Sequence, residues 1–380
     1  MNGFLPTVPP LREYINTNDS LSRIQEIASS LPKLLLTDRL DRTIQSLPDD
    51  SLNVDCIIQE NSEAEIQLAM VHLSFIAHAY ILGGAEPKDF LPKAIAEPWV
   101  RLSETLDRPP VLSYASYCLH NWYLVNQEDP IGLDNVALIN NFLGGIDEDW
   151  FVTIHVCIEH AAKEAVQTCA EISSCDYESG EPIIKDHLES ISNSLKEVND
   201  IFKRMPERCD PYVYYHRVRP FIFGSKDNPD LENGVTYDGE FNNKPQFYRG
   251  ETGAQSSIIP SLDGALGIEH TEDNLRHYLN EMRDYMPVEH REFIKYVESN
   301  SNISEIVNSS TNLIHAYNQC LEEIRQFRAL HLQYARTYIH SQSKQKNPFG
   351  VGGSTIRGTG GTPFMSYLKK HRDETNNQKK

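Results

Sequence analysis

Apolar positions recur along most of the chain at helical spacing rather than in alternation. Residues 63–83 place Ala64, Ile66, Leu68, Ala69, Leu73, Ile76, Ala77 and Tyr80 on one broad face. The same periodicity predicts helices from Trp150 to about Ile172 and from about Ile183 to Phe202. It predicts two more, from roughly Thr271 to Tyr285, closed by Met286-Pro287, and from about Ser304 to Ser341. Asp147-Glu148-Asp149 reads as acidic capping ahead of the helix that starts at Trp150. Strand signals are few and no β-α-β order appears, so the expected class is all-α. Two stretches break the helical pattern. One runs from Gly224 to Asp263, with turn pairs Asn228-Pro229, Asn233-Gly234 and Asp238-Gly239; the other, Gly350–Thr362, holds six glycines. The acidic, turn-rich segment Asn126–Asp149 suggests a small unit at 1–140 and a larger helical one at 141–380, without an internal repeat.

Charge narrows the partners. The chain has 380 residues and a net charge of −19, which argues against nucleic acid and against an anionic membrane surface. No apolar stretch is expected to reach the ~20 residues that span a bilayer. The start, Met1-Asn2-Gly3-Phe4-Leu5-Pro6, lacks a basic and an apolar region, so no signal peptide is expected. Seven scattered cysteines form no C-x-x-C pair and no C-x-x-C-H attachment site. A reduced, cytoplasmic protein is the expectation.

Candidate chemistry sits on the helices. In Ile324 to Tyr334, His331 shares a face with Ile324, Phe327, Tyr334 and Tyr338, and Arg328 lies one turn earlier on that face. A neutral imidazole backed by aromatics, with a cation one turn away, suits haem, the ring taking iron and the guanidinium a propionate. On the local pattern alone, a core histidine satisfied by a backbone carbonyl is the commoner reading. His155 stands among Phe151, Ile158 and Ala162 on another helix, and the two histidines together allow a proximal–distal pair across one cofactor. Arg217-Val218-Arg219-Pro220-Phe221-Ile222-Phe223-Gly224 embeds cations among aromatics. Pro220 disfavours α geometry at Arg219 and predicts a helix end or bend there. Such an arginine needs an anion, either a substrate carboxylate or an internal carboxylate. The glycine-rich segment has no preceding strand and no G-K-[ST] ending, so a closing lid fits better than a phosphate loop.

Taken in order, several segments resemble the indoleamine 2,3-dioxygenase family. They are Pro109–Ala115, Phe151–Ala162, Arg219 with Gly224, Gly253–Ser257, Asp263–Ile268, Arg328–Gln333 and Gly358–Thr362. The resemblance implies an all-helical fold, a small N-terminal domain capping a large haem-binding one. It implies haem b, ferrous when active, with His331 as the iron ligand, Arg328 pairing a propionate and Asp263 in the proximal network. It further implies that Arg219 recognises the substrate carboxylate, while Tyr114, Phe151 and Tyr214 wall the indole pocket. Thr252, Gly253 and Ala254 would form the loop at the haem edge, and Thr362 the part that closes on substrate. His155, Tyr214 and Phe223 depart from the familiar pattern and predict a tighter or more polar pocket.

The implied reaction inserts O2 across the indole C2–C3 bond of L-tryptophan or a related indole, giving N-formylkynurenine, with a reductant keeping the iron ferrous. His155 would accept the indole N–H and orient the ring. The rivals are the same fold acting on a modified indole, a haem-based O2 or redox sensor, and a purely structural helical protein in which these residues are incidental.

Overall fold

The computed structural model describes residues 3–344, 359 and 364–380. Helices of all kinds take up 64% of the described residues and strands 3%, as an all-α chain requires. The two small sheets are local clasps. Phe90–Leu91 pairs in parallel with Thr236–Tyr237, and Trp122–Leu124 pairs antiparallel with Val136–Leu138, Tyr123 facing Ala137.

Two buried apolar cores organise the helices. The first is built on Asp19–Leu36, Glu63–Leu82 and Lys93–Leu106, and it takes in Phe221, Ile222, Phe223 and Tyr237 from far along the chain. The second gathers Lys163–Ser173, Glu181–Phe202, Ile258–Leu266 and Thr311–Tyr334. Ile146–Ala161 belongs to both: Val152 and Val156 face the first core, and Ile154 and Ile158 the second. The helix carrying His155 is therefore sandwiched between the cores, and its residues are apolar on both sides.

Several sequence expectations need correction. Glu63–Leu82 is, by length and composition, long and apolar enough to cross a membrane, contrary to the reading that no stretch was; here 94% of its apolar window is buried in the first core. The helix expected from Trp150 starts at Ile146 and breaks at Ala162, after which Lys163–Ser173 follows as a separate helix. Glu148 is not a solvated capping acid. It is wholly buried, and its carboxylate accepts the backbone N–H groups of Phe142 (2.9 Å) and Leu143 (2.8 Å), tying the incoming loop to the helix. The run expected from Ser304 divides at Ser309-Ser310 into Ile303–Asn308 and Thr311–Tyr334. Asp263, expected in a long loop, sits in the helix Ile258–Leu266, which Gly267 ends in a left-handed conformation at φ 65°.

Arg219 keeps helical dihedrals (φ −56°, ψ −35°) despite Pro220. The expected bend arises differently. Tyr214–Val218 is a π turn, the Arg219 N–H donating five residues back to Tyr214, and Arg219–Ile222 then tightens into a 3-10 turn. Two more π turns, Ala115–Leu119 and Ala335–His340, directly follow Tyr114 and the His331 helix, with His120 bonded back to Ala115 (3.0 Å) and Ser341 to Arg336 (2.9 Å).

Beyond Ile222 the chain runs against residues 248–251 with no room for a side chain. A Cβ on Gly224 would lie 2.2 Å from the Gly250 nitrogen, and one on Gly250 would lie 2.2 Å from the Ile222 carbonyl oxygen. The Glu251 N–H donates to Ile222 (3.0 Å) and the Lys226 N–H to Tyr248 (2.9 Å), so the crossing is pinned on both sides. Gly224→Ala is expected to lower stability by ~1–3 kcal/mol or more, the range for forced overpacking, as measured by urea unfolding. An unchanged unfolding midpoint would show that the crossing yields freely.

Candidate functional site

A cavity of about 860 Å³ opens between the two histidine-bearing helices. That is near the top of the usual range of roughly 300–1,000 Å³ for ligand pockets and leaves room for more than one small molecule. Tyr114, Phe151, His155, Tyr214, Arg219, Thr252, Gly253, Ala254, Asp263, Arg328 and His331 all line it, although they come from positions more than two hundred residues apart. Thr362 lies outside the described residues, as does most of Gly350–Thr362. The described member, Thr359, is buried at the cavity edge, its hydroxyl bonded to the Glu251 carbonyl and its own carbonyl accepting from the Gly224 N–H (3.4 Å).

His331 projects from Thr311–Tyr334 between aromatic neighbours. Phe202, at the end of the adjacent helix, lies 6.2 Å from its ring, and Phe327 lies 6.4 Å away. Among the described residues none hydrogen-bonds either ring nitrogen, so the carbonyl-satisfied alternative does not hold for it. Burial pushes its pKa down to about 4, and His155 is near enough to add to the effect. The ring is neutral at physiological pH with a lone pair facing the cavity. That is the donor an iron porphyrin takes, and the aromatic, largely apolar walls suit a macrocycle.

His155 does find a carbonyl. Its Nδ1 lies 2.7 Å from the Phe151 oxygen, one helical turn back. A carbonyl only accepts, so Nδ1 carries the proton and Nε2 is left as an acceptor. Burial lowers the pKa and keeps this tautomer neutral. Its ring belongs to an aromatic wall with Tyr114 at 6.0 Å and Phe151 at 4.5 Å; Tyr214 then packs on Phe151 at 4.7 Å.

Tyr114 is held at both ends. Its N–H donates to the Gln255 side chain (2.8 Å), and its hydroxyl donates to Glu159 (2.9 Å), which also accepts from Ser256 (2.8 Å). Gln255 in turn donates to the Gly250 carbonyl (3.0 Å), so the Thr252–Ala254 loop is fastened to the aromatic wall. Arg219, 1% exposed, lies with its guanidinium 4.5 Å from the Phe223 ring centre and 5.2 Å from that of Tyr215. Burial pulls its pKa to about 10, which leaves it fully charged at neutral pH.

Behind His331 lies a charged relay that the sequence hinted at only through Arg328 and Asp263. These two form a buried pair at 2.6 Å, and Thr375 also takes Arg328. Asp263 meets His270 (3.0 Å), whose other nitrogen meets Glu374 (2.8 Å), and His371 stacks on His270 at 4.4 Å. Burial would raise the Asp263 pKa, but Arg328 and His270 outweigh it and hold the carboxyl well below its usual range. Burial lowers and the two carboxylates raise that of His270, with a net upward shift. Potential ligand atoms of His270, His371 and Glu374 lie within 4.8 Å of one another. With both His270 nitrogens committed to carboxylates and Arg328 alongside, the cluster is an ion-pair relay rather than a cation site. His270, Glu374 and the pocket residue Glu251 were not singled out by sequence. His270 and Glu251 lie in loops outside any periodic pattern, Glu374 reads as one more charge on a polar C-terminal helix, and Glu251 offers only its place directly before Thr252.

The description "Indoleamine 2,3-dioxygenase" attaches to the family model that matches residues 1–378. Indoleamine 2,3-dioxygenase 1 of Rattus norvegicus is 34% identical over 361 residues, covering 92% of this chain and 87% of its own. The Saccharomyces cerevisiae indoleamine 2,3-dioxygenase is 32% identical over 98% of this chain and 90% of its own. Indoleamine 2,3-dioxygenase nanC of Aspergillus nanangensis is 31% identical over 99% and 94%.

Arg328→Met should destabilise the fold by ~3–5 kcal/mol in urea unfolding, because it leaves Asp263 ionised and buried without its partner. The relay's own pH dependence has two limbs. The Asp263 contribution is present above the ordinary carboxyl value of about 3.9 and is lost as pH falls towards its depressed value. The His270 contribution is complete below about 6.5 and fades as pH rises through its raised value. His270→Gln is expected to flatten the upper limb in unfolding measured against pH; an unchanged slope would remove His270 from the relay.

Proposed function

Because the chain belongs to the indoleamine 2,3-dioxygenase family and is a haem-dependent dioxygenase of that kind, we propose that it cleaves the indole C2–C3 bond of L-tryptophan or a ring-modified relative. The product is N-formylkynurenine or its substituted counterpart. One observation carries this reading: a single cavity joins a neutral His331, unbonded among the described residues, to a His155 whose tautomer is set by Phe151, with the buried Arg219 in its wall. His331 would hold haem b, and Arg328, one turn earlier on its helix, with Asp263 paired to it from a neighbouring helix, would support the haem edge. Bound ferrous haem supplies the activation of O2.

The protein's own share is placement. Arg219, charged and dehydrated, clamps the substrate carboxylate through a planar fork of N–H donors. Phe151 and Tyr214, packed on one another at 4.7 Å, form a continuous aromatic wall for the indole ring. Nε2 of His155 is a ready acceptor for the indole N–H, which fixes the rotation of the ring against that wall. His155 need not take a full proton, since its burial favours the neutral ring. Thr359, with the Thr252–Ala254 turn, closes the cavity edge and keeps water from the ring.

His331→Ala protein is expected to purify without its haem absorbance; stoichiometric haem in that variant would overturn the ligand assignment. Arg219→Ala should raise KM for L-tryptophan about thirtyfold or more, corresponding to a loss of ~2–5 kcal/mol. A KM within error of the parent would place the carboxylate elsewhere.

A further inference from the structure

Glu159 is not among the residues that line the cavity, yet two that do line it hang from one of its oxygens. It stands one turn after His155 in Ile146–Ala161 and is wholly buried. Its Oε1 accepts the hydroxyl of Tyr114 (2.9 Å) and that of Ser256 (2.8 Å). Each tether reaches a different part of the site. The Tyr114 ring stands nearly perpendicular to that of His155, at 74° and 6.0 Å. The Ser256 N–H donates to the Gly253 carbonyl (3.1 Å), closing the turn after Thr252, and the Ile258 N–H, opening the helix that carries Asp263, donates to its hydroxyl (3.4 Å). Glu159 is itself hemmed in from the N-terminal side. Gly3, left-handed at φ 65°, leaves no space for a Cβ, which would lie 2.9 Å from the Lys163 Cα and 3.2 Å from the Glu159 carbonyl oxygen.

The second oxygen says in what form the carboxyl serves. Glu159 Oε2 is buried and has no hydrogen-bond partner among the described residues. An ionised carboxylate with one bare oxygen in an apolar surround costs more than an acid that keeps its proton there and leaves Oε1 to accept. Burial works the same way, pushing the carboxyl up to about 7 against the pull of Ser256 and Tyr114. What the site draws from Glu159 is an acceptor in a fixed place. An amide supplies that acceptor, and a methyl group does not.

We propose that Glu159 is a positioning residue for indole cleavage: through the two hydroxyls on Oε1 it sets the Tyr114 wall against His155 and holds the Thr252–Ala254 turn to that wall. The inference rests on the substrate placement given under Proposed function. With Arg219 holding the carboxylate and His155 the indole N–H, the freedom left to the ring is its tilt, and the wall restricts it. Removing the tether leaves the carboxylate clamp intact and disturbs alignment. A misplacement of about an ångström is enough to slow a reaction about a hundredfold.

The test pairs turnover of L-tryptophan, counted per haem, with calorimetric titration of the ferric holoenzyme by L-tryptophan. Glu159→Ala is expected to lower kcat about tenfold or more while the dissociation constant moves by less than about threefold. Glu159→Gln, which keeps the acceptor, should hold kcat within about threefold of the parent. Tyr114→Phe combined with Ser256→Ala should reproduce the Glu159→Ala loss, and adding Glu159→Ala to that pair should cost nothing further. If Glu159→Ala protein does not fold, the pair is read alone on the same two quantities. A kcat in Glu159→Ala, or in the pair, equal to that of the parent overturns the proposal, while turnover by the parent leaves the dioxygenase reading intact. A loss in Glu159→Gln as large as in Glu159→Ala would assign Glu159 a proton or a charge, and a full further loss in the triple variant would free it from the two hydroxyls; either result also overturns it. A parent protein that turns over no indole amino acid would remove the underlying substrate reading, and this proposal with it.

Discussion

Backbone contact between Gly224 and Gly250 governs the geometry of the site. The two segments touch where neither tolerates a Cβ, and hydrogen bonds on both sides of the crossing prevent them from sliding. Arg219 and Phe223 lead into the contact from one side, and Glu251 and the Thr252–Ala254 turn leave it on the other. Thr359 caps the same crossing by bonding to Gly224 and Glu251. One steric constraint therefore sets a buried cation, an acidic group and the cavity edge relative to one another.

Around this junction the protein places charge where water is scarce, and treats each case differently. Glu148 and Glu159 are both pushed up to about 7 by burial, and both hold structure together by accepting from loops and hydroxyls. Asp263 is kept ionised by cations and anchors the C-terminal helix Phe364–Asn377 behind His331 through His270 and Arg328. Glu251 alone of these acids faces the cavity without a partner among the described residues. The two histidines divide in the same way, His155 spending one nitrogen on its helix and His331, among the described residues, spending neither.

The three π turns connect local backbone to function. Each adds a residue to a helical turn, rotating the segment after it relative to the segment before it. At Tyr214–Val218 this lets the aromatic wall and Arg219, five residues apart, serve one cavity while Pro220 still succeeds Arg219. The dihedral preference before proline was a sound reason to expect a bend, but the chain met it by changing helical pitch.

Much of the site was legible in the sequence because helices impose a period. His331 with Phe327 and Tyr334, and His155 with Phe151, share faces by spacing alone, and that spacing together with the family motifs sufficed to choose them. The all-α class came from the same periodicity. What periodicity does not carry is contact between distant segments. The division of Ile146–Ala161 between two cores, the breaks at Ala162 and Ser309-Ser310, and the burial of Glu148 all depend on neighbours remote in the chain. So do the His270–Glu374 relay and the exposure of Glu251 to the cavity, since a histidine or acid in a loop, or one acid on a charged helix, has no local pattern to announce its partner. Sequence determined which helical faces bear chemistry; tertiary packing decided which polar groups were satisfied and which were left for a ligand.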